Sequence, residues 1–297
     1  MNLGVQLLQY TLSGITVGSI YALVAIGFNI IYNATGIINF AQGDFVMLGG
    51  MLAVYFYRSL HLPLVLAGPA ASLIVAVIGL LFERFAIHPL KNPSIITLII
   101  ITIAASILFK GGAMFIWGKD TYILPSFSGD EPIRFLGATI LPQTLWILGI
   151  LLLVFAALMV FFRFTIVGKA VKACSYNRRA AQIVGINVNR MVLLSFGLSA
   201  FIGGIAGVIV TPIALVSYDR GALLGLKGFG TAIFGGLGSM GGAVAAGLII
   251  GLLEAYAAGL VSSGYKDAVA LVILLFVLFF KPGGIFGKKE EQMLKAF

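Results

Sequence analysis

Residues 1–43 read MNLGVQLLQYTLSGITVGSIYALVAIGFNIIYNATGIINFAQG and contain no Asp, Glu, Lys or Arg. A helix of about 20 apolar residues crosses the hydrocarbon core of a bilayer, and this run exceeds that length. Three further uncharged runs follow at 135–162, 191–218 and 228–253, of 28, 28 and 26 residues. They are solidly apolar. A membrane β-barrel would alternate apolar and polar residues instead. The fold class that follows is an all-α integral membrane protein, a polytopic helical bundle.

Composition agrees. Of 297 residues, 60% are apolar and 10% charged, against about 25% charged in soluble domains. A chain this poor in charge cannot cover a surface against water. It is equally far from disorder, which needs low hydrophobicity. The net charge of +9 is expected to mark cytoplasmic loops, with lipid and not nucleic acid as the surrounding partner. A single cysteine, Cys174, excludes an internal disulfide. No His, Cys, Asp or Glu cluster has metal-ligand spacing, and neither a metal nor a cofactor is expected. The first apolar run has no Lys or Arg before it, so the n-region of a cleaved signal peptide is missing and the first span should be retained.

Spans are read at 9–32, 45–57, 62–82, 94–117, 145–162, 191–216, 242–261 and 268–280, about eight crossings within a single transmembrane domain over 1–297. A short segment at 228–238 enters the membrane without forming a full helix. The segment 163–190 holds Arg163, Lys169, Lys172, Arg178, Arg179 and Arg190 and no acid, which places it in the cytoplasm. The tail 281–297 carries Lys281, Lys288, Lys289 and Lys295 against Glu290 and Glu291 and belongs on the same side. Arg84, His88 and Lys91 mark another inner loop, and the mixed loop 118–143 lies outside. Counting back puts the N-terminus outside.

Two polar or Gly-rich stretches, 33–44 and 225–242, interrupt the apolar pattern. A pair of broken, Gly-interrupted segments in the two halves of a membrane chain points to a transport site. Asn39, Gln42 and Asp44 lie in the first, and Gly235, Gly236 and Gly238 in the second. Asp44 can equally cap the helix that follows it. Glu254 sits inside an apolar span, where a carboxylate costs about 2.5–3.5 kcal/mol on insertion scales. It should be protonated, paired or turned to the bundle interior. Glu83 beside Arg84 reads as an interfacial pair. Small-xxx-small pairs at Gly14/Gly18, Gly203/Gly207, Gly238/Gly242 and Gly247/Gly251 allow close helix contact.

In the basic loop, Ser175 or Asn177 can cap a short helix running to Val184, and Gly185 can end it. Ala180, Ala181 and Val184 give that helix a small apolar face, suited to a groove of another protein. No Gly-Lys pair in the chain is followed by Ser or Thr, so there is no phosphate loop. There is no catalytic constellation either, and any ATP hydrolysis must come from a partner chain.

Residues 39–44 (NFAQGD), 47–50 (MLGG), 234–243 (FGGLGSMGGA), 251–254 (GLLE) and 178–187 (RRAAQIVGIN) together resemble the inner-membrane permeases of branched-chain amino-acid ABC importers, over about residues 5–285. The chain is similar to the shorter, Liv-type permease of such systems. The resemblance implies a second homologous permease, two cytoplasmic ATPases and a periplasmic binding protein. It places ATPase coupling at Arg178, Arg179, Ala180, Ala181 and Gly185. It also implies a translocation pathway near Asn39, Gln42, Asp44, Gly235, Gly236, Gly238 and Glu254. Arg179 stands where the family's coupling motif carries an acid. Urea and short-amide permeases of the same superfamily have His and Glu where this chain has Gln42 and Asp44. An amide permease and an ion-coupled secondary transporter are the alternative readings. The second would need embedded ionisable groups, of which Glu254 is the clearest.

Overall fold

A computed structural model describes residues 3–90 and 93–287. Lys91 of the expected inner loop, and Lys288, Lys289, Glu290, Glu291 and Lys295 of the expected tail, lie outside the described residues.

The chain is helical almost throughout: α1 Leu3–Thr35, α2 Gln42–Arg58, α3 Leu64–Phe82 continued by a π turn Glu83–Ile87, α4 Ile95–Trp117, α5 Pro142–Phe164, α6 Ile166–Tyr176, α7 Arg178–Ile183, α8 Val188–Val210, α9 Arg220–Gly235, α10 Met240–Leu260 and α11 Lys266–Phe280. Among the described residues, α1, α3, α4, α5, α8 and α10 are long and apolar enough to cross a membrane. α2, α9 and α11 are shorter. The 118–143 loop carries a two-stranded hairpin, β1 Ile133–Phe135 and β2 Ala138–Ile140, in register Ile133 to Ile140.

α1 is the centre of the bundle. It is apolar on every face and buried from Gly14 to Ala34 on nearly all of them, as expected of a helix with no polar stripe. α10, α8 and α9 pack around it. Small residues make this possible. Gly14 and Gly18 of α1 meet Gly247 and Gly251 of α10 so closely that a Cβ on Gly18 would fall 2.8 Å from the Leu248 Cα. α2 crosses α8 in the same way, with Gly49 against Gly204 and Gly207 against the Val46 carbonyl. The large apolar side chains of α4, α5 and α11 point outward, including Phe115, Leu153 and Phe279.

Contacts sort the loops to two ends. At the hairpin end, Gln9 bonds Thr139, Arg58 bonds the Ile123 carbonyl and Tyr122 pairs with Val216. At the basic end, Arg178 reaches the Ala34 carbonyl, Asn33 reaches Gly238, and Ile285 bonds the Phe234 carbonyl. The alternation of loop ends agrees with the order read from loop charges.

The two interruptions differ from each other. The first is a true break. Gln42, the first residue of α2, lies against Gly27, eight residues before the end of α1, which is about 12 Å of helix. The segment 36–41 therefore climbs back along the last turns of α1. The second is narrower than the stretch 225–242. α9 runs unbroken to Gly235, and the chain turns only at 236–239, with Gly236 and Gly238 at φ +95° and +92°. The glycines inside α9 are contact points: Gly225 faces Gly43, and Gly228 faces Val24. The Gly238/Gly242 pair straddles this turn and makes no helix-crossing stripe. α8 stops at Val210, short of the expected 216, because Pro212 cannot continue the ladder.

Candidate translocation site

α9 presents Arg220, Gly221, Leu223, Leu224 and Lys227 along one face, at i, i+1, i+3, i+4 and i+7. With Val46 and Met47 of α2, Thr211 and the 214–216 turn after α8, and Tyr21 of α1, this face lines a cavity of about 370 Å³. That volume is in the range of small-molecule sites. Arg220 and Val216 lie at the hairpin end, and Lys227 and Tyr21 lie near the middle of the bundle. The cavity thus descends from the hairpin end to mid-depth. Its wall is apolar apart from Thr211, Arg220, Lys227 and the Tyr21 hydroxyl.

At its floor is a polar cluster. Lys227 Nζ donates to Glu254 Oε1 and Oε2 at 2.9 and 3.0 Å and to the Tyr21 hydroxyl at 2.8 Å. Tyr21 donates in turn to Glu254 Oε2 at 2.7 Å. The ammonium also lies 5.1 Å from the Tyr21 ring centroid, within cation–π range. Three helices, α1, α9 and α10, are joined by these bonds. Glu254 is nearly sealed, with 7% of its side chain exposed against 25% for Lys227. On the far side, Lys227 and Glu254 border a second, smaller cavity of about 140 Å³ walled by Leu223, Leu226, Ile250, Leu271 and Leu274. A buried charge pair of this kind is tolerated because each ion is hydrogen-bonded and net charge is zero.

The other residues expected on the pathway sit elsewhere. Gln42 is fully buried between α1 and α8: its Nε2 donates to the Ser199 carbonyl, and its Oε1 lies 2.7 Å from the Ser199 hydroxyl. Asn39 folds back to accept from the Ala41 amide, leaving Nδ2 without a partner. Asp44 lies in the first turn of α2, where a negative charge suits the helix dipole. Ser106 and Lys110 of α4 are the polar groups near it, and its Oδ1 has no partner. None of the three lines the two cavities at Lys227. Gly235 packs on the Gly242 carbonyl, the Gly238 amide donates to Asn29 Oδ1, and Gly236 holds the turn between α9 and α10. Of the expected set, Glu254 alone joins the cluster. Glu83 lies 3.8 Å from His88 Nδ1 and within electrostatic reach of Arg84.

Lys227 and Tyr21 are the residues that sequence reasoning missed. A signal for the first exists: the uncharged run 228–253 is bounded by Lys227 and Glu254, and the turn at 236–239 folds those two ends together.

In the basic loop, the Asn177 side chain accepts from the Ala180 amide and starts α7, and Gly185 follows its end at φ +88°. Ile183 and Val184 are exposed, while Ala181 packs inward with Cys174 and Val188. Burial pushes the Cys174 thiol pKa up. Arg178 donates to the Ala34 carbonyl at 2.8 Å, one of the carbonyls a helix leaves open at its C-terminus. Removal from water draws its guanidinium below its ordinary value. α7 is thereby fastened to the end of α1.

The chain matches the family described as branched-chain amino acid transport system / permease component over residues 10–278. LivH of Escherichia coli K12, a high-affinity branched-chain amino acid transport system permease protein, is 32% identical over 300 residues, covering 96% of this chain and 97% of its own. BraD of Pseudomonas aeruginosa, with the same description, is 31% identical and covers the same shares. RbsC of Haemophilus influenzae, a ribose import permease protein, is 30% identical over 276 residues, 88% of this chain and 81% of its own. The match along nearly its whole length places this helical chain in the family of branched-chain amino acid transport system permease components.

Proposed function

We propose that this chain is the membrane permease of an ATP-driven importer for branched-chain, apolar amino acids. The observation that carries this reading is the family match along 10–278, which spans the helices that build the cavity. The hairpin end faces the periplasm, where a binding protein delivers substrate. The basic end faces the cytoplasm, where two ATPase subunits dock on α6 and α7. A second, homologous permease completes the membrane part. Hydrolysis belongs to the ATPases; this chain contributes the route.

The route is the cavity along α9. Its apolar wall suits leucine, isoleucine and valine side chains. Asn39, Gln42 and Asp44 serve it from behind, by fixing the broken start of α2 against α8 and α4. Gly235, Gly236 and Gly238 form the turn on which α9 and α10 rock. Arg178, Arg179, Ala180, Ala181 and Gly185 receive the push of the ATPases. Through the Arg178 bond to Ala34 that push reaches α1, and through Tyr21 it reaches the cluster at the cavity floor.

Uptake of labelled leucine tests the reading, in cells that lack this gene and regain it, with ATP depleted while the proton gradient is held. ATP-dependent uptake restored by the chain is the expected result. Uptake that ignores ATP and collapses with the gradient would instead support an ion-coupled carrier.

A further inference from the structure

We propose that the Lys227–Glu254 pair is the recognition element for the two charged ends of the substrate: the carboxylate of a zwitterionic amino acid takes Lys227, and its ammonium takes Glu254. This rests on the permease reading above and extends it to a named binding contact.

An amino acid crosses the membrane as a zwitterion, and each charge removed from water costs several kcal/mol unless compensated. An apolar cavity alone would reject it. The compensation has to come as one cation and one anion, placed close together at the depth where the substrate rests. Lys227 and Glu254 provide this, 2.9 Å apart, at mid-depth, where transporter sites are expected. Arg220 lies two turns away on the same face of α9 and brings positive charge with no acid beside it in the cavity wall.

A structural staple accounts for less of the geometry. Apolar residues often replace a purely structural buried pair without loss. Glu254 is nearly sealed and borders only the 140 Å³ cavity, whereas Lys227 borders both the 370 Å³ and the 140 Å³ cavities and keeps a quarter of its side chain exposed, which a sealed staple would not need. Tyr21 bonds both ions, Glu254 at 2.7 Å and Lys227 at 2.8 Å, and the long Lys227 stem can carry its ammonium toward the larger cavity, which it already borders. The arriving carboxylate draws Lys227 toward itself, and the substrate ammonium takes the vacated place at Glu254. The substrate's two charges and those of the pair then alternate in sign. No proton moves and no bond is made or broken.

Leucine uptake by the assembled importer, in cells lacking the native gene, tests the proposal. Lys227→Met or Glu254→Gln should lower uptake by more than about tenfold. Each leaves a lone charge buried, so the decisive variant is the double Lys227→Met/Glu254→Gln. It buries no unpaired ion, and should reach the membrane at wild-type abundance yet fail to carry leucine. Leucine transport by this double variant at close to the wild-type rate would reduce the pair to a staple and overturn the proposal. Should the double variant not accumulate, binding of labelled leucine to the wild-type importer in nanodiscs, without binding protein, decides instead. Valine should displace the label, and uncharged isocaproamide should not. Equal displacement by the amide would overturn zwitterion recognition. A wild-type chain that restores no leucine uptake would refute the permease reading itself, before any variant is compared.

Discussion

The Gln42 amide occupies a slot that glycine leaves open. A Cβ on Gly27 of α1 would collide with Nε2, and one on Gly203 of α8 would fall 3.2 Å from it. Within the slot the amide meets Ser199, whose hydroxyl lies 2.7 Å from both the Gly27 carbonyl and Gln42 Oε1. Three helices thus share one small polar knot where no water is at hand to replace a lost bond. Gln42→Leu is expected to destabilise the protein by about 1–3 kcal/mol, read as a lower unfolding midpoint in detergent; an unchanged midpoint would show that the knot holds nothing. Gln42 stands out in the sequence as a polar residue in an apolar stretch. Its partners do not, because Gly27 is an ordinary small residue of the preceding helix and Ser199 lies 157 residues away. The same limit hid Tyr21. A tyrosine in an apolar run reads as core until the structure shows its hydroxyl on Glu254.

Among the elements, α1 and α4 look alike in sequence: long, strongly apolar, without an amphipathic stripe and without a charge in the first turn, with Lys110 of α4 the one charged residue in either. α1 is the buried axis of the bundle, and α4 lies at its periphery with Phe115 and Leu108 exposed. Hydropathy sets the membrane against water and says little about which helix faces lipid, since lipid is as apolar as the core. The small residues say more. On α4 the buried positions are Thr102, Ala105, Ser106 and Ala113, and on α1 the glycines make the contacts with α10. The ends of α7 in the basic loop were legible for a different reason: capping is local chemistry. Asn177 and Gly185 mark the ends of α7 within a few residues of chain. Asn177→Ala should weaken α7 by about 1 kcal/mol and lower leucine-stimulated ATP hydrolysis of the importer at unchanged membrane abundance. Asn177→Asp, which keeps an acceptor, should retain it. Equal loss in both variants would mean that the side chain matters for docking and not for capping.

At the scale of the whole molecule, charge order gives the alternation of loops, and long-range contacts then gather them at two ends. The number of crossings was less legible. α2, α9 and α11 are short helices, of which Leu271–Phe280 in α11 is the apolar one, and whether such a segment spans or stops at mid-depth depends on what covers its ends. α2 starts against Gly27 of α1 with Phe40 packed on Phe229 of α9, an arrangement that no local pattern announces. The cavity is a property of this scale too, since α1, α2, α8 and α9 each supply part of its wall.

The most direct test of that cavity as the route uses single cysteines in a Cys174→Ala background, with leucine uptake as the readout. Leu224→Cys lies on the α9 face of the cavity. Val65→Cys lies in the apolar groove between α3, α5 and α8. A membrane-impermeant thiol reagent added from outside should block uptake through the Leu224→Cys chain, and excess leucine should slow the block. The Val65→Cys chain should keep its uptake. Full uptake by the treated Leu224→Cys chain, with its thiol shown to be labelled, would contradict a route along α9.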